Sequence, residues 1–86
     1  EKLGKKQINL ERLNLLVDKK ELDEKVFVKV RSTGKLLDAK INLKDKSSAE
    51  VNLDIAEDGI SPGQACVFYS KDNFGYKVLG GGWIKN

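Results

Sequence analysis

Few side chains in this sequence could do chemistry, and the missing ones narrow the field first. The chain holds no histidine, so imidazole acid–base catalysis and His-ligated metal sites fall away. Its single cysteine, Cys66, has no second thiol for a disulfide or a zinc cluster. It sits in the apolar run Ala65-Cys66-Val67-Phe68-Tyr69, where a thiol behaves as a small hydrophobe. Gly80-Gly81-Gly82 invites a phosphate-loop reading, yet no lysine–hydroxyl pair follows it and no helix opens after it. A bend is expected there, or a backbone approached so closely that a Cβ would collide. Glu21, Asp23, Glu24, Glu57 and Asp58 stand in loop or lysine-mixed stretches with no apolar setting to raise a carboxyl pKa. No catalytic residue and no metal ligand is assigned.

The basic residues carry more. Val26, Val28 and Val30 alternate with Phe27, Lys29 and Arg31, the period of a strand with one apolar and one largely basic face. Lys29 and Arg31 project together, Lys40 comes from the next strand and Lys35 from the joining turn, which makes these four the candidate phosphate contacts. Ordinary solvation of a lysine-rich surface is the competing reading, and a formal net charge of +3 does not choose between them. Phe27, Tyr69, Phe74, Tyr76 and Trp83 are of the type that stacks on bases in small nucleic-acid-binding barrels. In a domain this small most of them are expected in the core.

The elements that must position these residues are short strands. Residues 7–17 have no clean period and read as a short strand, a turn and a join; residues 18–25 read as a charged loop or a single helical turn. Alternation then marks a hairpin over 26–31 and 37–44, and a third strand over 49–55. Pro62-Gly63 suits a type II turn, residues 65–69 form an apolar strand, and 76–79 begin another before the glycines. With 86 residues, 40% hydrophobic and 34% charged, the chain fits one globular domain. The expected fold is all-β, a small antiparallel β-barrel of about six strands, closed or partly closed. No apolar run reaches the roughly 18 residues of a membrane span. Lacking Met and starting at Glu1, the sequence is expected to be a fragment or a processed chain, and cytoplasm is the expected compartment, since nothing calls for an oxidising one.

Two segments together, Ile60-Ser61-Pro62-Gly63-Gln64-Ala65-Cys66-Val67-Phe68-Tyr69 and Val78-Leu79-Gly80-Gly81-Gly82-Trp83-Ile84, resemble the closing signature of bacterial tRNA-specific 2-thiouridylases. Val26 to Arg31 followed by Ala39-Lys40-Ile41 is similar to the strand pair that opens the C-terminal barrel of that family. Ile8 to Leu16 resembles its joining segment, with Asn14-Leu15-Leu16 where the family commonly has Asn-Trp-Leu. The resemblance implies a linker or end of a preceding central domain over residues 1–22 and a C-terminal barrel over 23–86, similar to the barrels of translation factors. It implies a parent enzyme that uses ATP to adenylate the wobble uridine of tRNA at its C2 oxygen and then replaces that oxygen with sulfur from a cysteine persulfide. The ATP loop and both catalytic cysteines of the family lie in an N-terminal domain outside this sequence, and Cys66 matches neither cysteine. The implied cofactor is therefore ATP in the parent and none here. The implied partners are tRNA, the remaining domains of the same polypeptide and a sulfur-donor protein, with neither DNA nor membrane. On this reading Lys29, Arg31, Lys35 and Lys40 contact RNA, while Pro62, Gly63, Gly80, Gly81 and Gly82 shape the barrel. The alternative is a barrel that only packs against its own enzyme or a protein partner. A free-standing single-strand binder is a third reading, and it requires several exposed aromatics.

Overall fold

The computed structural model describes residues 5–30 and 34–85. Six strands form in chain order: β1 (Lys5–Leu15), β2 (Val26–Lys29), β3 (Leu37–Leu43), β4 (Ala49–Glu57), β5 (Ala65–Asp72) and β6 (Gly75–Ile84), with one 3-10 turn, Lys19–Leu22, between β1 and β2. They close into a barrel in the order β1-β4-β3-β2-β5-β6, and every pairing is antiparallel. The all-β barrel expected from the alternation is the one observed. Closure leaves no open edge for another chain to extend.

The interior is narrow and filled by aliphatic side chains of modest size, as small barrels require. Ile8, Leu10, Val26, Val28, Ala39, Val51, Leu53, Leu79 and Ile84 form it, with Phe68 as its one aromatic and Cys66 beside it. Leu22, the lone apolar residue of the charged 18–25 stretch, is buried in the same cluster. That stretch is a 3-10 turn that drops one side chain into the core and leaves its charges in water.

Residues 7–17 are not a join. They lie in and just after β1, which closes the barrel between β4 and β6. The boundary expected between residues 22 and 23 therefore leaves a barrel strand on its N-terminal side. The missing period has a physical cause. Arg12 adopts a left-handed backbone conformation, φ 52°, and the pairing with β6 shifts between Glu11 and Asn14. Such a bulge moves the inward phase by one residue: Ile8 and Leu10 are buried before it, and Leu13 and Leu15 pack on the core after it.

A second irregularity is in β6. Phe68 pairs with Gly80 and Tyr69 with Val78, so Leu79 is an extra residue without an opposite. Gly80 takes φ 145°, and a Cβ there would overlap the Asn14 carbonyl oxygen and come within 2.9 Å of Leu15 Cα. A Cβ on Gly81 would overlap the Cys66 carbonyl oxygen on the opposite neighbour and stand 3.1 Å from Val67 Cα. The glycines thus lie within a continuous strand that β1 and β5 approach from either side, and the chain runs through them without breaking the ladder. Next to them, Pro62 and Gly63 form a turn with Gly63 at φ 91° and the Gln64 N–H donating to the Ser61 carbonyl at 3.4 Å. Gly63 N–H then donates to Ile84 O, and Ile84 N–H to Gln64 O, each at 2.8 Å, which ties the turn to the end of β6.

Space and backbone strain separate two glycine substitutions. Gly81→Val forces side-chain atoms onto two neighbouring backbones and is expected to cost ~2 kcal/mol or more, in the range of overpacked sites. Gly63→Ala meets nothing within 4 Å and carries only the left-handed backbone penalty of about 1 kcal/mol. Urea unfolding of both variants checks the order, and equal midpoints would refute this account of the glycine run.

Candidate nucleic-acid interface

Because Val26 and Val28 point inward on β2, Phe27 and Lys29 must point out. The same parity on β5, set by buried Cys66 and Phe68, turns Val67, Tyr69 and Lys71 outward. On β6, Tyr76 and Val78 lie opposite Lys71 and Tyr69, while Phe27 is paired with Tyr69 and Lys29 with Val67. Seven side chains from three adjacent strands therefore share one outer face. Phe27 meets Tyr76 edge to face, with ring centroids 5.8 Å apart and planes at 86°. Lys29 Nζ lies 5.9 Å from the Tyr69 ring centroid and Lys71 Nζ 6.0 Å from that of Tyr76, a cation–π arrangement that holds each ammonium against a ring. Among the described residues no carboxylate forms an ion pair with either lysine. Asp72, next to Lys71, is engaged in the β5–β6 turn, where it accepts a 2.8 Å hydrogen bond from the Phe74 N–H.

The expectation that most aromatics belong to the core is overturned. Phe68 alone is buried; Phe74 is 98% exposed, Tyr76 52% and Trp83 41%, and Phe27 and Tyr69 are half-buried. Strand parity decides this, since each of these residues falls in the outward phase of its strand or on a turn, and the narrow lumen is already full.

The four basic residues chosen from sequence do not all meet. Lys29 belongs to the aromatic face, and Arg31 lies outside the described residues. Lys35 is exposed in the β2–β3 connection, at the rim of hollows that Glu57 and Asp58 also line, so its surroundings are of mixed charge. Lys40 is exposed on β3 opposite Asn52. Continuing the β2–β3 register sets Lys40 level with Lys25, four residues along the ladder from Lys29, ~13 Å at the rise of a strand. The charge at that end is balanced: Lys25 Nζ lies 2.6 Å from Asp54 and 4.0 Å from Asp38, and its hydrogen bond to Asp54 holds its pKa above the ordinary lysine value. Sequence reasoning missed Lys71, although its alternation with Val67 and Tyr69 continues the β5 pattern past the point where the strand was expected to end.

What the face offers is phosphate contact from two ammonium groups, with flat apolar rings beside them for bases. Gly80 and Gly81 lie in the ladder between β5 and β1, and among the described residues no helix opens after them. Among the described residues no group of three or more Cys, Asp or Glu is placed to hold a metal ion, and no helix is long and apolar enough to cross a membrane.

Comparison with known proteins gives a consistent set of relatives. The family model of the aminomethyltransferase beta-barrel domain matches residues 5–84. The tRNA-specific 2-thiouridylase MnmA of Ruegeria sp. (strain TM1040) is 58% identical over 57 residues, 66% of this chain and 14% of that protein. The protein of the same name from Paracoccus denitrificans (strain Pd 1222) is 41% identical over 85 residues, 98% of this chain and 21% of that protein. That from Paramagnetospirillum magneticum (strain ATCC 700264 / AMB-1) is 48% identical over 64 residues, 74% and 16% of the two chains. The chain thus spans about a fifth or less of the curated relatives it matches. No solved structure matches it.

Cys66 is the one thiol, and its setting disfavours the thiolate. It is fully buried in the barrel, and burial pushes its pKa from an ordinary 9.0 up to about 12. A thiolate is the reactive form, and this site suppresses it. A chromogenic disulfide reagent at pH 8 is expected to leave the native chain untouched and to label it on unfolding in urea. A folded pKa raised above the unfolded one favours the protonated fold, so the contribution is complete below pH 9 and is lost as pH rises from 9 towards 12. The stability gap between the parent chain and Cys66→Ala should therefore narrow above pH 9; a gap that stays constant or widens there would contradict the burial of this thiol.

Proposed function

We propose that this chain, which belongs to the aminomethyltransferase beta-barrel domain family, the C-terminal barrel domain of tRNA-specific 2-thiouridylases, holds tRNA on the outer face of β2, β5 and β6. On this reading the chemistry, ATP-dependent 2-thiolation of the wobble uridine, belongs to other domains of a longer polypeptide, which bind ATP and receive sulfur from a donor protein in the cytoplasm. The barrel contributes position. The observation that carries the reading is that Lys29 and Lys71 each stand over an outward aromatic ring with no ion-pairing carboxylate among the described residues. Cations so placed are available to phosphates, and neutralising phosphates releases counterions, which is the main source of sequence-independent affinity. Outward rings on a rigid sheet add stacking where bases are unpaired.

The packing-only reading has its own support in Ile55, an exposed apolar residue on β4, away from that face. One experiment separates the two. Binding of the folded chain to a wobble-uridine tRNA is measured across a salt series for the parent chain, for Lys29→Glu with Lys71→Glu, and for Lys40→Glu. The double reversal should weaken binding by at least about tenfold and reduce the salt slope by about two contacts, with an unchanged unfolding midpoint. Lys40→Glu should have the smaller effect, because its neighbourhood already carries balancing carboxylates. Equal binding by all three would remove the assignment to this face, and no binding by the folded parent chain would leave the packing reading.

A further inference from the structure

Where β6 passes over its glycines, the outside of the barrel has a floor without side chains. Trp83, Val78, Val67 and Leu16 stand around it, with Arg12 at one end, and enclose an open groove of about 320 Å³. Leu16, Val78 and Trp83 are all exposed. The Arg12 guanidinium lies 5.6 Å from the Trp83 ring centroid and is the one ionised group lining the groove. Glu11 touches that guanidinium only at 4.0 Å and lies outside the lining. Arg12 is aimed here by its left-handed backbone at the β1 bulge, the same irregularity that re-phases the strand.

We propose that this groove takes an unpaired nucleotide of the bound RNA, its base lying on Trp83 and the glycine backbone and its phosphate at Arg12. The inference rests on the tRNA-holding reading and adds the kind of RNA structure recognised, single-stranded rather than duplex. Three observations favour a nucleotide over a protein segment. The floor is flat backbone with no ridges or holes for side chains to interdigitate with, which protein interfaces need, whereas a base is itself flat. The lining charge is positive and uncompensated within the groove, which complements a phosphate. The groove also adjoins the cationic face: Val67 and Val78 line it and are the direct cross-strand partners of Lys29 and Tyr69. A short single strand can therefore run from Lys29 to Arg12 across β2, β5, β6 and β1, three strand spacings or ~15 Å.

Trp83 is the only tryptophan in the chain, so its emission reports on this groove alone. The folded chain is titrated with a short oligouridine, with an RNA duplex and with tRNA, reading indole fluorescence and, separately, filter retention of the labelled RNA. Oligouridine and tRNA should quench Trp83 saturably, and the duplex should not. Arg12→Asn, whose side chain tolerates the left-handed backbone, should weaken oligouridine binding at least about fivefold, as expected for one lost charge-assisted phosphate contact, without lowering the unfolding midpoint. Retention of tRNA with unchanged emission would overturn the groove assignment and leave the tRNA reading standing. Failure of retention would remove both. Quenching by duplex as strong as by oligouridine would refute recognition of an unpaired base, and emission that changes with chain concentration alone would assign the groove to a second copy instead.

Discussion

The structure depends on how closely β6 is held between β5 and β1. A six-strand barrel of this size must coil tightly to close, and the tightest approach falls at Gly80 and Gly81, where a Cβ would meet backbone on β1 and on β5 respectively. Two irregularities serve the same closure: the extra residue Leu79 in β6 and the left-handed Arg12 in β1. Each bends its strand and re-aims the side chains next to it. The hydrogen bonds from Leu16 N–H to Leu79 O at 2.9 Å and from Lys85 N–H to Asn9 O at 2.7 Å close the seam on either side of the bulges.

That closure has an outward consequence. Glycines that let two strands approach from the sides also leave the outer surface bare, and the residues just beyond them, Val78 and Trp83, stand clear of neighbours that would otherwise cover them. The lumen, for its part, is too narrow for more than one aromatic ring, so Phe68 occupies it and the other rings are pushed to the surface by strand parity. Exposed aromatics here follow from barrel size and need no separate cause; their association with lysines and an arginine does, because charge placement is not set by closure.

How much of this was legible in the sequence can be traced residue by residue. Where alternation is unbroken, as over Val26 to Val30, Leu37 to Leu43 and Ala49 to Leu53, the strands and their inward faces follow directly from period two. β1 escaped because a one-residue bulge turns two short alternating runs, Ile8-Leu10 and Leu13-Leu15, into an apparently irregular stretch. Leu22 escaped because a single apolar residue has no period. The family resemblance pointed to the barrel and to its glycines, but the basic set failed where it needed strand register: Lys40 and Lys29 lie on adjacent strands, yet at opposite ends of their ladder. Lys71 and Arg12 escaped for the complementary reason, since each lies beyond a point where the expected strand had ended or lost its phase.

Net charge is a poor guide to such a surface. Part of the lysine charge here is paired or set among carboxylates: Lys25 with Asp54 and Asp38, Lys44 with Glu50, Lys77 with Glu21, and Lys35 at the rim shared with Glu57 and Asp58. Lys29 and Lys71 have no carboxylate partner among the described residues, and Arg12 has only Glu11 at 4.0 Å; these three share another feature. Each stands over an aromatic ring that its own strand or a neighbouring one turns outward. A ring satisfies a cation only in part and leaves its outer hemisphere free, whereas a carboxylate in contact neutralises it. The distinction between structural and available charge on this barrel is therefore made by which neighbour the sheet register supplies, and on the side that runs from β2 through β5 and β6 to β1 the register supplies rings.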